Sequence, residues 1–135
     1  FRGDTGFLDA MVKVAQFVSE LNDDALARLE EMCHDPKVVA VGEIGLDYHW
    51  DVEPREVQQK WFIRQLDLAR KVGLPVNIHS RDASEDTFLI IKEHASDLTG
   101  IIHCARIGFE FFGRCITKVN RIGFCQVSGR IYLAK

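Results

Sequence analysis

Three short apolar runs, each carrying a metal-capable side chain and each followed by a helix-length segment, constrain this chain more than any other feature. The first, Val38-Val39-Ala40-Val41-Gly42-Glu43-Ile44, is β-branched and nearly all apolar, as suits a strand buried on both faces. Gly45 to Glu53 read as a polar loop, and Pro54 opens a long helix where its missing N–H costs nothing. Val57, Trp61, Leu68 and Val72 recur along that helix at helical spacing, while Arg55, Lys60 and Arg64 point elsewhere. Gly73 is its natural stop.

The second cycle is shorter. Pro75-Val76-Asn77-Ile78-His79 reads as a strand with proline at its first residue, where a ladder donor is least missed. A loop from Ser80 to Ala83 follows, and Ser84 is placed to cap a helix through His94 whose Phe88 and Ile91 face the sheet. Gly100-Ile101-Ile102-His103-Cys104 makes a third strand, Glu110 to Val119 a third helix, and Ile122 to Val127 a fourth strand ahead of Ser128-Gly129. Upstream, Leu8 to Leu21 and Asp24 to Cys33 are expected as helices, the second capped by Asn22 or Asp23. Strands alternating with helices through short loops build a parallel sheet with right-handed crossovers, so the fold class is α/β with about four parallel strands.

The chain has 135 residues, which suits one domain, and its net charge of -3 argues against a protein held on nucleic acid by a broad basic surface. Local Arg or Lys side chains and metal ions remain open as ways to meet phosphate. Cys33, Cys104, Cys115 and Cys125 show no CxxC pairing, nothing at the start resembles a signal peptide, and the apolar runs are too short to span a bilayer. A cytoplasmic protein with reduced thiols and no membrane partner is expected. It starts at Phe1 and stops at Lys135 just after a strand-like run, as a fragment would.

Glu43, His79 and His103 fall at the ends of successive strands in this reading. The carboxyl ends of parallel strands share one face, so residues distant in sequence converge there. One carboxylate with two neutral imidazoles is an ordinary inner shell for Zn²⁺, Mn²⁺ or a similar ion, which acidifies a bound water and polarises a phosphoryl or carbonyl oxygen. A lone His at a strand end is more often a hydrogen-bonded structural residue, and Glu43 alone would suit a buried Arg. Three such donors on consecutive strands favour the metal. Asp47 and Tyr48 lie just beyond Glu43, and Arg81 just beyond His79, where its guanidinium can take a phosphate in bidentate fashion or pair with Asp82 or Glu85. His34, His49 and His94 read as solvated, and Gln58 and Gln65 as solvent-facing or helix–sheet contacts.

The segments Val41-Gly42-Glu43-Ile44-Gly45-Leu46-Asp47-Tyr48, Leu74-Pro75-Val76-Asn77-Ile78-His79-Ser80-Arg81 and Gly100-Ile101-Ile102-His103-Cys104 resemble the TatD-type metal-dependent deoxyribonucleases. Gln58, Phe62, Gln65-Leu66 and Leu68-Ala69 between them fit the same pattern. The match is close over residues 21–104 and loose over 105–135, within one domain spanning 1–135. The resemblance implies a TIM-type (β/α) barrel of the amidohydrolase superfamily, here partial. It also implies two divalent ions (Mg, Mn or Zn) and hydrolysis of phosphodiester bonds in DNA. By that resemblance Glu43 is the bridging carboxylate and His79 and His103 hold the second metal, while Asp47 and Arg81 are the candidate substrate contacts.

The sequence also departs from the family. The His-x-His pair of its first strand is absent, as is the Thr-Asp-x-Pro-like motif of a later one, and Ala105-Arg106-Ile107-Gly108 replaces a Ser-Gly loop. Asp4-Thr5-Gly6-Phe7-Leu8-Asp9 echoes only the surroundings of the missing pair. The expectation is therefore a chain truncated at both ends, holding at most one ion, weakly active or inactive, and self-associating through open barrel edges. Two other readings stand beside it. One is a non-catalytic degenerate barrel fragment that binds one metal or a partner; the other is an amidohydrolase-type enzyme acting on a non-nucleic substrate.

Overall fold

The protein was analysed as a computed structural model that describes residues 21–51, 53–103, 122–126 and 130–131; for 103, 122–126 and 130–131 the description concerns the backbone. The elements are α1 (Asp23–Met32), β1 (Val41–Asp47), α2 (Arg55–Val72), β2 (Val76–Arg81), α3 (Ser84–His94), β3 (Gly100–His103), β4 (Ile122–Gln126) and β5 (Arg130–Ile131). They form one sheet in the order β1-β2-β3-β4-β5. The first four strands are parallel, as expected, and β5 adds a short antiparallel pairing to β4 that the sequence reading did not contain. The helices expected over Leu8 to Leu21 and Glu110 to Val119 lie outside the described residues, Leu21 apart, as does the strand end at Cys104 and Val127.

Local chemistry explains the helix ends. Asn22 accepts a hydrogen bond from the Ala25 N–H at 2.8 Å, with Asp23 and Asp24 in the first turn of α1 where the helix dipole favours anions. Pro54 precedes α2, Arg70 and Lys71 occupy its last turn, and Gly73 closes it in the left-handed conformation at φ 71°. Ser84, expected as a cap, is instead the first residue of α3; Ala83 holds the cap position and accepts from the Thr87 N–H at 2.9 Å.

The strands are displaced from their expected bounds because the ladder, not the apolar run, sets them. Val38 sits in a turn, its N–H on the Asp35 carbonyl at 2.9 Å, and Val39 is 62% exposed. Pairing starts where β2 supplies a partner, with Val41 N–H on the Pro75 carbonyl at 2.8 Å, and continues through Leu46↔Ser80 and Asp47↔Arg81. Glu43 is therefore the third of seven residues in β1 and His79 the fourth of six in β2, not the strand ends that were expected. The polar residues from Asp47 and Ser80 onward made those strand ends look like loop.

Val41, Ile44 and Leu46 of β1, Val76 and Ile78 of β2, and Ile102 of β3 pack with Phe62, Leu66 and Ala69 of α2 and Ile90 and Ile91 of α3. Each such aliphatic or aromatic side chain contributes about 1.5–3 kcal/mol by leaving water. The sheet-facing stripe of α2 is thus Phe62-Leu66-Ala69, with Val72 partly buried beside it. Trp61 and Val57, expected in that stripe, pack sideways on Leu21 and Ala25 of the α1 region, with the Arg64 guanidinium 4.6 Å above the indole. Behind β2, the fully buried hydroxyls of Ser80 and Thr87 bond each other at 2.9 Å and pin the strand to α3.

At Gly45 the β2 backbone leaves no room for a side chain on β1. Its φ is 132°, and a Cβ there would lie 2.0 Å from the His79 carbonyl oxygen. At Gly73 the left-handed backbone meets open space. In urea unfolding, Gly73→Ala is expected to cost about 1 kcal/mol. Gly45→Ala should cost about 3 kcal/mol or more, combining backbone strain with a clash that must move β2. Equal losses at the two positions would show that this close approach does not constrain the fold.

Candidate metal centre

The β1–β2 register carries one irregularity, and it falls on Glu43. Gly42 pairs with Asn77 and Ile44 with Ile78, so Glu43 is the extra residue of a bulge. Regular alternation from Val41 would commit Glu43 to the helix-covered face and turn Ile44 away from it. The inserted residue resets the phase, leaving Ile44 2% and Leu46 0% exposed while Glu43 stays half-buried. Bulges serve this purpose elsewhere, re-aiming a side chain beside a site.

One rung further along, Gly45 pairs with His79, and His79 pairs in turn with His103 of β3. The expected donors thus lie within two rungs of one another on three neighbouring strands. Among the described residues, no three His, Cys, Asp or Glu side chains converge closely enough to hold an ion. The backbone of His103 pairs directly with that of His79.

Around His79 the arrangement is closely specified. Its Nε2 lies 3.0 Å from Asp47 Oδ2, and the two side chains are only 14% and 17% exposed. The other oxygen of Asp47 accepts from the His49 N–H at 3.0 Å. Gln58, reaching up from the first turns of α2, accepts from the Asp47 N–H at 3.0 Å and donates to the Glu53 carbonyl at 3.0 Å. Gln58 is 4% exposed, so of its two expected roles the contact with the sheet is the one observed. Asp47, expected to meet substrate, is engaged on both carboxylate oxygens and aimed at His79. A histidine whose second ring nitrogen faces a carboxylate is the usual form of a metal-ligating imidazole, with ring orientation and tautomer fixed. The donor chemistry therefore fits a divalent ion.

Tyr48 anchors the loop that follows. Its hydroxyl donates to Asp86 Oδ2 at 2.7 Å and accepts from Gln59 Nε2 at 2.8 Å, and the Arg55 guanidinium lies 4.2 Å over the ring. Burial, reinforced by the neighbouring Asp86 carboxylate, pushes the phenol up to about 12. Arg81 is the last residue of β2 and pairs with no carboxylate among the described residues; Asp82, its expected alternative partner, bonds His49 Nδ1 at 3.0 Å instead. The guanidinium lies 5.6 Å from the Trp50 ring centroid. The sequence reading missed the roles of Gln58, Gln59, Asp86 and Trp50. An unusually polar first turn on an otherwise core-facing helix was the available signal for the two glutamines.

Tyr48→Phe should cost about 1 kcal/mol at neutral pH, the net worth of a buried hydrogen bond. The folded phenol titrates above its unfolded value, so its contribution is complete below pH 10 and fades as pH rises towards 12. Stability curves of the wild type and Tyr48→Phe should accordingly converge over that window, and the late component of the phenol absorbance titration should vanish in the variant.

Known proteins resemble this chain in sequence and in fold. A family profile described as TatD related DNase matches residues 12–129. The uncharacterized metal-dependent hydrolase YabD of Bacillus subtilis is 42% identical over 102 residues, covering 75% of this chain and 40% of that protein. The deoxyribonuclease Tat-D of Schizosaccharomyces pombe is 37% identical over 112 residues, covering 78% and 36%. The 3'-5' ssDNA/RNA exonuclease TatD of a Rahnella species is 40% identical over 87 residues, covering 64% and 33%. Among solved structures, YJJV, a TatD homolog from Escherichia coli, superposes with a TM-score of 0.70 at 28% identity over 91% of this chain and 51% of that one. The chain thus spans about two fifths of the length of YabD. With its parallel sheet, its helices and its motifs all in the order that match requires, the chain belongs to the TatD-related DNase family and has that family's α/β barrel class of fold.

Proposed function

We propose that this chain supplies one half of a divalent-metal phosphodiesterase site that acts on DNA. The reading rests on the buried Asp47–His79 pair, with His79 two rungs beyond the bulged Glu43 and beside the His103 position. Glu43 is the shared carboxylate, His79 and His103 are the imidazole ligands of one ion, and Arg81 meets a phosphate. The names of the Rahnella and fission-yeast relatives, an exonuclease and a deoxyribonuclease, favour nucleic acid over a cyclic amide or ester. When bound, a divalent ion supplies charge stabilisation at a phosphoryl oxygen and an acidified water.

The chain's own residues do the positioning. Gln58 fixes the Asp47 backbone, Asp47 orients the His79 ring, and the Gly45 approach sets the height of His79 against β1. Asp47 is thereby a positioning residue for the metal ligand, not a substrate contact. Glu43, His79 and His103 together make the donor set of a single ion.

Calorimetric titration of the 135-residue chain with Mn²⁺ or Zn²⁺ is expected to show one bound ion. His79→Ala should abolish it, and Asp47→Asn should weaken it by about 10- to 100-fold, as loss of an orienting partner does. Absence of binding, or binding indifferent to His79→Ala, would leave the trio a structural role. Robust metal-dependent cleavage of a DNA oligonucleotide by the same chain would overturn the single-ion reading.

A further inference from the structure

Asn77 is the polar residue of β2 that neither the core nor the Asp47–His79 pair explains. Along that strand Val76, Ile78 and Ser80 are buried towards the helices, while Asn77, His79 and Arg81 alternate onto the opposite face. The Asn77 Oδ1 atom is buried there and meets no hydrogen-bond donor among the described residues. A buried acceptor without a donor costs stability that an apolar side chain of similar shape would not. Gln65 Nε2 and Ser84 Oγ are also unpartnered, but they belong to α2 and α3, whereas Asn77 lies on the strand face that carries the candidate metal donors. In the ladder Asn77 pairs with Gly42, the residue before the bulged Glu43, and on its other side with Ile101 of β3. A Cβ at Gly42 would lie 2.6 Å from the Asn77 Cβ and 2.7 Å from its carbonyl oxygen, so a glycine is what seats Asn77 this closely against β1. Residues two apart on a strand share a face at a separation of about 6.6 Å, within which an asparagine and a histidine can reach one ion.

The chemistry of a carboxamide oxygen selects the ion. It is a neutral, hard donor that suits Mn²⁺ or Mg²⁺, whose octahedral shells are rich in oxygen. A tetrahedral Zn²⁺ is already complete with a carboxylate, two imidazoles and a water, and gains little from a further neutral oxygen. We propose that Asn77 donates its Oδ1 to the ion held by Glu43, His79 and His103, and so biases the site towards an oxygen-preferring ion over Zn²⁺. This role rests on the metal-site reading above and names an additional donor and an ion class that the reading leaves open. Ion binding gives the orphaned acceptor its partner and offsets what its burial costs the metal-free chain.

The test is calorimetric titration of the metal-free 135-residue chain with Mn²⁺ and, separately, with Zn²⁺. Asn77→Ala should weaken Mn²⁺ by about tenfold or more, as loss of a supporting group at a metal site does, and leave Zn²⁺ near its wild-type affinity. Asn77→Val, a strand-favouring side chain that also lacks the oxygen, should behave in the same way. Asn77→Asp keeps an oxygen at that position and should restore Mn²⁺ binding. Since Asn77 Oδ1 has no hydrogen bond to lose, the metal-free Asn77→Val chain should unfold thermally close to the wild type. Its gain in unfolding temperature on adding Mn²⁺ should nevertheless be smaller. Equal weakening of both ions by Asn77→Ala and Asn77→Val, weakening of neither, or failure of Asn77→Asp to restore Mn²⁺ would refute the donor role and leave the Glu43–His79–His103 site standing. If the wild type takes up neither ion, that site falls and the role of Asn77 with it.

Discussion

The pairing of β1 with β2 is the constraint on which the rest of the structure depends. Fixing one rung of a parallel ladder commits every later residue to a face, and β1 contains a conflict that a regular ladder cannot resolve. Val41, Ile44 and Leu46 all belong in the core, yet they are three and then two residues apart. Without an extra residue, a glutamate would face Phe62 and Leu66, and desolvating its charge there would cost several kcal/mol. The bulge at Glu43 removes the conflict by giving up one ladder position. The same adjustment brings Gly45, not Ile44, level with His79, where only a residue lacking Cβ permits the approach. Core packing and donor placement are thus two consequences of one inserted residue.

From that register the site is assembled by a chain of hydrogen bonds running from helix to strand. Gln58 belongs to α2, Asp47 to β1 and His79 to β2, and each bond in the sequence is 3.0 Å. Any shift of α2 along the sheet would pull on Asp47 before it reached His79. Behind β2 the Ser80–Thr87 bond performs the same service from α3. The strand bearing the histidine is therefore held by polar contacts at one end of an otherwise apolar interface, where small displacements cannot be absorbed by side-chain repacking.

The sequence made the βα alternation, the α2 boundaries at Pro54 and Gly73, and the donor residues themselves legible, because apolar period and backbone-special residues act locally. Strand bounds were less legible: β1 begins three residues later than its apolar run, since its limits are those of β2. The bulge could not be read at all, because it arises from competition between two strands for one core. Trp61 was assigned to the sheet face on spacing, and its true partner Leu21 is a tertiary contact that spacing does not encode. Among polar residues the pattern is similar. Asp47 and Arg81 were identifiable as candidates near the right strands, but the pairing of Asp47 with His79 and of Asp82 with His49 depends on which faces the register presents.

Those two carboxylate–histidine pairs show how burial divides their roles. Both have a nitrogen–oxygen separation of 3.0 Å, so geometry alone does not distinguish them. Asp47 and His79 are 17% and 14% exposed, whereas Asp82 and His49 are 42% and 36% exposed. In the first pair water competes poorly for the hydrogen bond, and the effective dielectric is low enough for the ring orientation to be fixed. In the second, water screens the interaction and offers each partner an alternative, so the contact contributes little and yields easily. A metal ligand needs the first environment, because coordination tolerates only a few tenths of an ångström. The fixed pair sits on the ladder and the yielding pair joins two loops, so the same chemistry is rigid within the sheet and adaptable outside it.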